Sequence, residues 1–269
     1  MSKNYRNGCV KLGDTEMYYA AFGSGEKKLI VLPGLSDGLA TVKGKAFILA
    51  GPYKKFMKNY TVYMFSRKNK MPENYTIRQM AEDQVKAIKA LGIEKTSVLG
   101  VSQGGMISQY IAIDYPEVVE KLILGVTTPY ANEVVKAAVG SWIEMAEKKD
   151  HVSLMVDTAE KMYSKAYLEK YRKFFPLMAL FTKPKDYERF LRNANAIMSF
   201  DARAELNKIT CPTLILSGDD DNTVGNEAPY ELQKGITKSE LFIYKGLGHS
   251  AFEEGKDFYE RVYNFCERE

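Results

Sequence analysis

The sequence predicts an α/β protein: a mostly parallel central sheet covered by helices on both faces and interrupted by a helical insertion. Short apolar runs alternate with amphipathic helical stretches through the first half of the chain, the order that lays parallel strands side by side with crossover helices between them. From about residue 129 to about 200 the strand signal disappears, and the chain reads as helix rich in Met, Tyr and Phe. Strand patterning returns at Thr213–Ser217 and Leu241–Tyr244. The expected division is a core of 1–128 and 201–269 with a helical cap at 129–200, a length common for functional insertions.

The elements follow in order. Residues 8–22 alternate around a turn at Gly13-Asp14 and predict a β-hairpin. Lys28–Leu32 is a buried strand that runs into Pro33-Gly34, and Thr61–Phe65 is another. Ile77, Met80, Val85, Ile88 and Leu91 fall at near-helical spacing, with Gly92 as the stop. Ser97–Val101 predicts a strand, 103–114 a helix ending before Pro116, and Lys121–Val126 a strand again. Residues 256–268 predict a closing helix.

The 269 residues suffice for one full core, and 45% hydrophobic with 27% charged residues is an ordinary globular balance. The net charge of +4 reads as a mild excess interleaved along the chain, with no footprint for nucleic acid or an anionic membrane. Cys9, Cys211 and Cys266 are far apart, odd in number and without a C-x-x-C pattern. A disulfide framework and a thiolate metal site are therefore not expected, and a reducing cytoplasm fits best. The polar N-terminus has no apolar core of a signal peptide, and no apolar run reaches the length of a membrane span. The expected partner is a small molecule.

Gly100-Val101-Ser102-Gln103-Gly104 matches G-x-S-x-G, between a predicted strand and a predicted helix. That context makes it a nucleophile elbow rather than a helix with a serine N-cap. A sharp strand-to-helix turn crowds its flanks, so Gly100 and Gly104 stand where a Cβ would collide, and Gly105 adds room. The helix N-terminus directs free N–H groups at the site. A serine hydroxyl needs a base, and the chain has two histidines. His249, in the loop after the strand Leu241–Tyr244, is the expected base. His151, beside Lys149 and Asp150 in the insertion, is expected at the surface. The acid belongs after the strand Thr213–Ser217, where Asp219, Asp220 and Asp221 compete to fix the histidine tautomer. The aspartate run lacks the spaced ligand set of a calcium loop, so neither a metal nor a cofactor is expected. The oxyanion formed on attack needs two donors. The backbone N–H of Gln103 is one, and that of Leu35, in Pro33-Gly34-Leu35-Ser36, is the other.

These residues resemble the α/β-hydrolase superfamily in its capped branch of esterases, enol-lactonases, haloperoxidase-like enzymes and carbon–carbon bond hydrolases. Tyr75-Thr76, Met80 through Asp83, Leu91-Gly92-Ile93, the elbow, Tyr115-Pro116-Glu117 and Leu122-Ile123-Leu124 carry the likeness in order and spacing. So do Asp201 through Leu206, Ile209, Pro212 through Leu216, Gly218 and Asp221. The family pattern places the acid three residues after the glycine, which selects Asp221 and implies a Ser102–His249–Asp221 triad. Two departures stand out. Pro33-Gly34 replaces the His-Gly of many relatives, and Ser66-Arg67-Lys68-Asn69 occupies the place of an Asp-x-Arg-Gly turn. Relatives that open epoxides or remove halogen use an aspartate nucleophile, which Ser102 argues against. The resemblance implies hydrolysis of an ester with a small apolar or aromatic acyl group. Its alternatives are a carbon–carbon bond hydrolase or lactonase with the same triad, and a ligand sensor with little turnover.

Overall fold

The computed structural model describes residues 4–268. The hairpin is present as β1 (Tyr5–Leu12) and β2 (Thr15–Phe22), paired antiparallel across Gly13, whose φ of +62° suits glycine. β3 (Lys27–Leu32), β4 (Tyr60–Lys68), β5 (Thr96–Val101), β6 (Val119–Gly125), β7 (Thr213–Gly218) and β8 (Ser239–Tyr244) complete an eight-stranded sheet of order β1-β2-β4-β3-β5-β6-β7-β8. Only the β1–β2 and β2–β4 pairs are antiparallel; every pair from β4 through β8 is parallel. β5 and β7 are buried at every residue, as strands covered on both faces must be. β4 runs three residues past its predicted end, because Lys68 still pairs with Met17 of β2.

The helices in chain order are α1 (Ala46–Leu49), α2 (Ile77–Ala90) and α3 (Gln103–Asp114), then α4 (Glu133–Glu147), α5 (His151–Met162), α6 (Lys165–Tyr171), α7 (Phe175–Thr182) and α8 (Glu188–Met198). After β7 come α9 (Ala228–Gly235), α10 (Ala251–Glu254) and α11 (Phe258–Glu267). α2 starts on a capping box: Thr76 Oγ1 accepts from Gln79 N–H, and the Gln79 side chain accepts from Thr76 N–H. Gly92 ends it at φ +72°. The short α1, α9 and α10 were not expected, since eight residues or fewer show too little periodicity to stand out.

The five helices α4–α8 lie between β6 and β7 as a continuous insertion. Asn132, Asp150 and Ser164 cap α4, α5 and α6 by accepting a backbone N–H three residues on. The neck is closed by a bridge between Tyr130 and Asp201 and by hydrogen bonds from Ala131 N to Phe200 O and from Ala202 N to Pro129 O. The insertion packs in two parts. Val135, Trp142, Phe190 and Ile197 of α4 and α8 join the main hydrophobic cluster with Met106 and Tyr110 of α3. Ala159, Leu168 and Phe175 of α5–α7 form a small cluster of their own.

Candidate active site

Ser102 occupies the single-residue corner between β5 and α3, at φ 54° and ψ −120°. This is a strained backbone for a residue with a side chain, and it persists only where the surroundings over-determine it. They do so here. Ser102 N–H donates to Gly125 O at 2.9 Å, and its carbonyl accepts from Gly105 N at 2.8 Å, Met106 N at 3.2 Å and Thr127 Oγ1 at 2.7 Å. The flanking glycines are as crowded as expected. A Cβ would lie 2.4 Å from Gly104 O at Gly100, 1.9 Å from Leu32 O at Gly104, and 2.6 Å from Thr127 at Gly105. Two of these obstacles are backbone carbonyls, which cannot swing aside.

His249, 3% exposed in the loop after β8, reaches both neighbours. Its Nε2 lies 2.9 Å from Ser102 Oγ and its Nδ1 2.9 Å from Asp221 Oδ2. The other Asp221 oxygen accepts from Thr223 N at 2.8 Å and Val224 N at 2.9 Å, while Asp221 N–H donates to Asn226 Oδ1 at 2.8 Å. The carboxylate is thus locked in orientation by the turn that carries it. The other two aspartates shape that turn: Asp219 Oδ1 accepts from Gly246 N at 2.6 Å, and Asp220 O accepts from Asn222 Nδ2 at 3.3 Å. A Cβ on Gly218 would lie 2.0 Å from Leu247 O, so the acid and histidine loops are in backbone contact. Ser250 N–H donates to Met162 O at 2.9 Å, which ties the histidine loop to the end of α5.

Leu35 opens a 3-10 turn, Leu35–Gly38, and Gln103 opens α3. An N–H at a first helical position has no preceding carbonyl of its own helix to bond. The loop carrying Leu35 sits directly on the serine, since a Cβ on Gly34 would lie 3.2 Å from Ser102 Cβ.

Sequence reasoning missed a buried charged network beneath these groups. Arg67 in β4 is fully buried. Its Nη2 donates to Pro33 O at 2.7 Å and to Gln103 Oε1 at 2.9 Å, and its backbone N–H donates to Asp37 Oδ2 at 2.9 Å. Arg189 of α8 closes on the same carboxylate, Nη2 to Asp37 Oδ2 at 2.6 Å, and also bonds Asp37 O, Arg67 O and Lys68 O. Gln103 Nε2 donates to Asn193 O at 2.7 Å. Both candidate oxyanion segments therefore hang on one guanidinium, which is itself roped to the insertion. Burial pulls the Arg67 pKa down to about 10 against the attraction of Asp37, so it stays charged at neutral pH. The only hint in the sequence was the departure at Ser66-Arg67, because patterning treats an arginine as a surface residue.

The expectation that His151 lies at the surface is wrong. It is 3% exposed at the start of α5, with Nε2 3.1 Å from Thr182 Oγ1 and its ring 5.9 Å from that of Tyr187. It turns inward because Asp150 caps the helix and the end of α7 folds over it. A surface cleft of about 400 Å³ lined by Glu73, Ala146, Tyr187 and Leu191 contains no member of the serine–histidine–aspartate row. Among the described residues, no three His, Cys, Asp or Glu side chains are grouped to hold a metal ion.

Residues 63–256 match the family described as alpha/beta hydrolase fold. The chain belongs to that family. The AB hydrolase superfamily protein YisY of Bacillus subtilis is 30% identical over 194 residues, 69% of this chain and 71% of the relative. A 2-hydroxy-6-oxononadienedioate/2-hydroxy-6-oxononatrienedioate hydrolase of Klebsiella pneumoniae is also 30% identical, over 67% of this chain and 65% of its own length. Among solved structures, an enol-lactonase from Burkholderia xenovorans superposes with a TM-score of 0.83 at 20% identity, covering 97% of this chain and all of the other. An esterase from Exiguobacterium antarcticum gives 0.79 at 21% identity, over 98% of this chain and 100% of that one. The alpha/beta hydrolase family membership makes the chain a hydrolase of a small-molecule substrate.

Proposed function

We propose that this hydrolase cleaves carboxylic esters with a small apolar or aromatic acyl group, using Ser102 as nucleophile, His249 as base and Asp221 as its orienting acid. The observation that carries the proposal is the continuous row Asp221–His249–Ser102, with 2.9 Å at both links, ending on a serine in strained backbone at a helix N-terminus. In this reading His249 Nε2 takes the hydroxyl proton as Ser102 Oγ attacks the ester carbonyl. Asp221 holds Nδ1 protonated and stabilises the imidazolium. The oxyanion rests on the N–H groups of Gln103 and Leu35, donors that in a well-studied protease contribute about 3 kcal/mol each. His249 then protonates the leaving alcohol, the acyl group remains on Ser102, and a water activated by His249 releases the acid. The insertion roofs the site in this reading and supplies its apolar lining.

The test is hydrolysis of p-nitrophenyl esters from acetate to decanoate by the wild type and Ser102→Ala. Turnover that depends on Ser102 and peaks at one chain length supports the proposal. No serine-dependent turnover on any ester sinks it. The 30% identity to the Klebsiella hydrolase favours one second reading, a carbon–carbon bond hydrolase or enol-lactonase using the same three residues. Serine-dependent cleavage of vinylogous diketones or enol-lactones but not of simple esters would support that one.

A further inference from the structure

Ten large apolar side chains are exposed among the described residues, and five of them, Phe174, Leu177, Met178, Leu180 and Phe181, crowd onto α7 and the residue before it. Their exposure runs from 51% for Met178 to 83% for Phe181. Only Phe175 and Ala179 of α7 turn inward, Phe175 stacking on Tyr163 at 5.9 Å between ring centres. Scattered exposed apolar residues need no explanation, but a contiguous ridge of this kind marks a contact surface.

The charge of the segment that carries the ridge is as uneven as its polarity. Residues 165–185 hold six basic side chains, Lys165, Lys170, Arg172, Lys173, Lys183 and Lys185, against one acid, Glu169. That segment alone is +5, whereas the whole chain is +4. The excess expected to be dispersed is therefore concentrated on both flanks of α7. All six are exposed. Arg172 pairs with Glu160 at 2.5 Å, while none of the five lysines is in an ion pair within 4.0 Å among the described residues. Along the chain acidic side chains resume at Asp186 and Glu188, and from α5 and its cap Glu160 pairs with Arg172 and Asp150 is attracted to Lys183.

We infer that α7 docks this hydrolase onto an anionic lipid surface, with the apolar ridge in the boundary between headgroups and acyl chains and the lysines at the phosphates. An exposed apolar ridge with basic side chains at both ends fits a flat, fluid, negatively charged layer, because lysine stems lie along the apolar surface while their ammonium groups stay with the headgroups. A second copy of the chain fits poorly, since it would set +5 against +5. The inward side of α7 leads back to the candidate site. Tyr163, on which Phe175 stacks, directly follows Met162, whose carbonyl takes Ser250 N–H beside His249. Docking at α7 would hold the helical face beside His249 against the layer in which apolar esters dissolve. That last step rests on the ester reading; the docking itself does not.

The experiment is co-sedimentation of the full chain with vesicles of phosphatidylcholine alone or with about a third phosphatidylglycerol. Each basic residue near an anionic leaflet contributes about fivefold in partition. The wild type is expected on the anionic vesicles at least about a hundredfold more than on the neutral ones at low salt, with the excess falling as salt screens it. Lys173→Ala/Lys183→Ala/Lys185→Ala should lower anionic partition about a hundredfold. Leu180→Ser/Phe181→Ser should lower it at least about tenfold. These residues are exposed, so unchanged melting curves will report that both variants fold. Equal binding to the two vesicles, or variants that bind like the wild type, would overturn the inference. So would a dimer in analytical ultracentrifugation that Leu180→Ser/Phe181→Ser dissolves, or retention on polyglutamate without vesicle binding. None of these readouts uses turnover, so failure of the ester reading would leave them intact.

Discussion

Replacing Asp37 with Asn separates charge from shape in the buried network. The Asp37 side chain is 1% exposed; its Oδ2 takes the guanidinium of Arg189, 18% exposed, and the backbone N–H of Arg67, whose fully buried guanidinium is attracted to the same charge. Asparagine keeps the size and can still accept from Arg67 N–H, so only the negative charge is lost. The variant would leave two cations facing each other without a counter-ion. Breaking a buried pair by removing one partner costs about 3–5 kcal/mol, because the remaining charge stays uncompensated. For a chain of this size that lowers the melting temperature by roughly 10 °C. Arg189→Met alone leaves Arg67 with Asp37 and should cost only about 2 kcal/mol of lost charge-assisted hydrogen bonds. In the Asp37→Asn background the same change removes one of the two unpaired cations. The double variant should therefore be more stable than the sum of the singles by at least about 1.5 kcal/mol. Urea unfolding keeps ionic strength constant, and the single tryptophan, Trp142 at 5% exposure in α4, reports the insertion while far-UV circular dichroism reports the whole. A loss below about 1 kcal/mol for Asp37→Asn, or strict additivity in the double variant, would refute the reasoning.

Arg67→Met removes the clamp on Pro33 O and Gln103 Oε1 but leaves Asp37 with Arg189. If esters are hydrolysed with the oxyanion on Gln103 and Leu35 N–H as proposed, kcat should fall about 10- to 100-fold with KM little changed, since displaced donors act on the transition state; a purely KM effect would contradict this. Gly104→Ala puts a methyl 1.9 Å from Leu32 O, and no side-chain motion relieves a clash with backbone. Insoluble protein or inactivity with a lowered melting temperature is expected, and a stable, fully active variant would show that the elbow has room. Burial, helped by Lys183, lowers the His151 pKa from its ordinary 6.5. The native state then binds fewer protons than the unfolded state below that value. This contribution is complete above about pH 6.5 and is lost as pH falls toward the folded pKa, with a slope of at most about 1.4 kcal/mol per unit. Stability measured from pH 7 to 5 should fall less steeply in His151→Asn than in the wild type, and an identical slope would exclude His151 as the source.

The readable parts of the fold are those set by local pattern. β3, β5, β6 and β7 appear as apolar runs because strands buried on both faces have no polar side. α2 announces itself by spacing and by Gly92 at its end, while its Thr76 cap emerged only in the structure. The elbow is legible because glycine at 100 and 104 has a steric reason that holds within a few residues. Arg67, Asp37, Arg189 and Asn193 carry no such signal. They come from three places in the chain, the turn after β3, β4 and α8, and each alone looks like a solvated polar residue. The same holds for α7: its Met and Phe residues read as helix packing, and only the folded chain leaves them facing outward.

By itself the sequence determined the order of strands and helices, the strained serine corner and the kinds of residue at the strand ends, since these follow from neighbours in the chain. The residues left three aspartates open, and the family likeness picked one. Only the tertiary structure decided that Asp221 Oδ2 meets His249 Nδ1 at 2.9 Å, and that Ser102 and His249, 147 residues apart, share a hydrogen bond. It also decided which charges are buried together. The first depends on the parallel stacking β5-β6-β7-β8, which brings the C-terminal ends of distant strands to one edge of the sheet, and the second on β4 lying beside β3 with α8 closing over both.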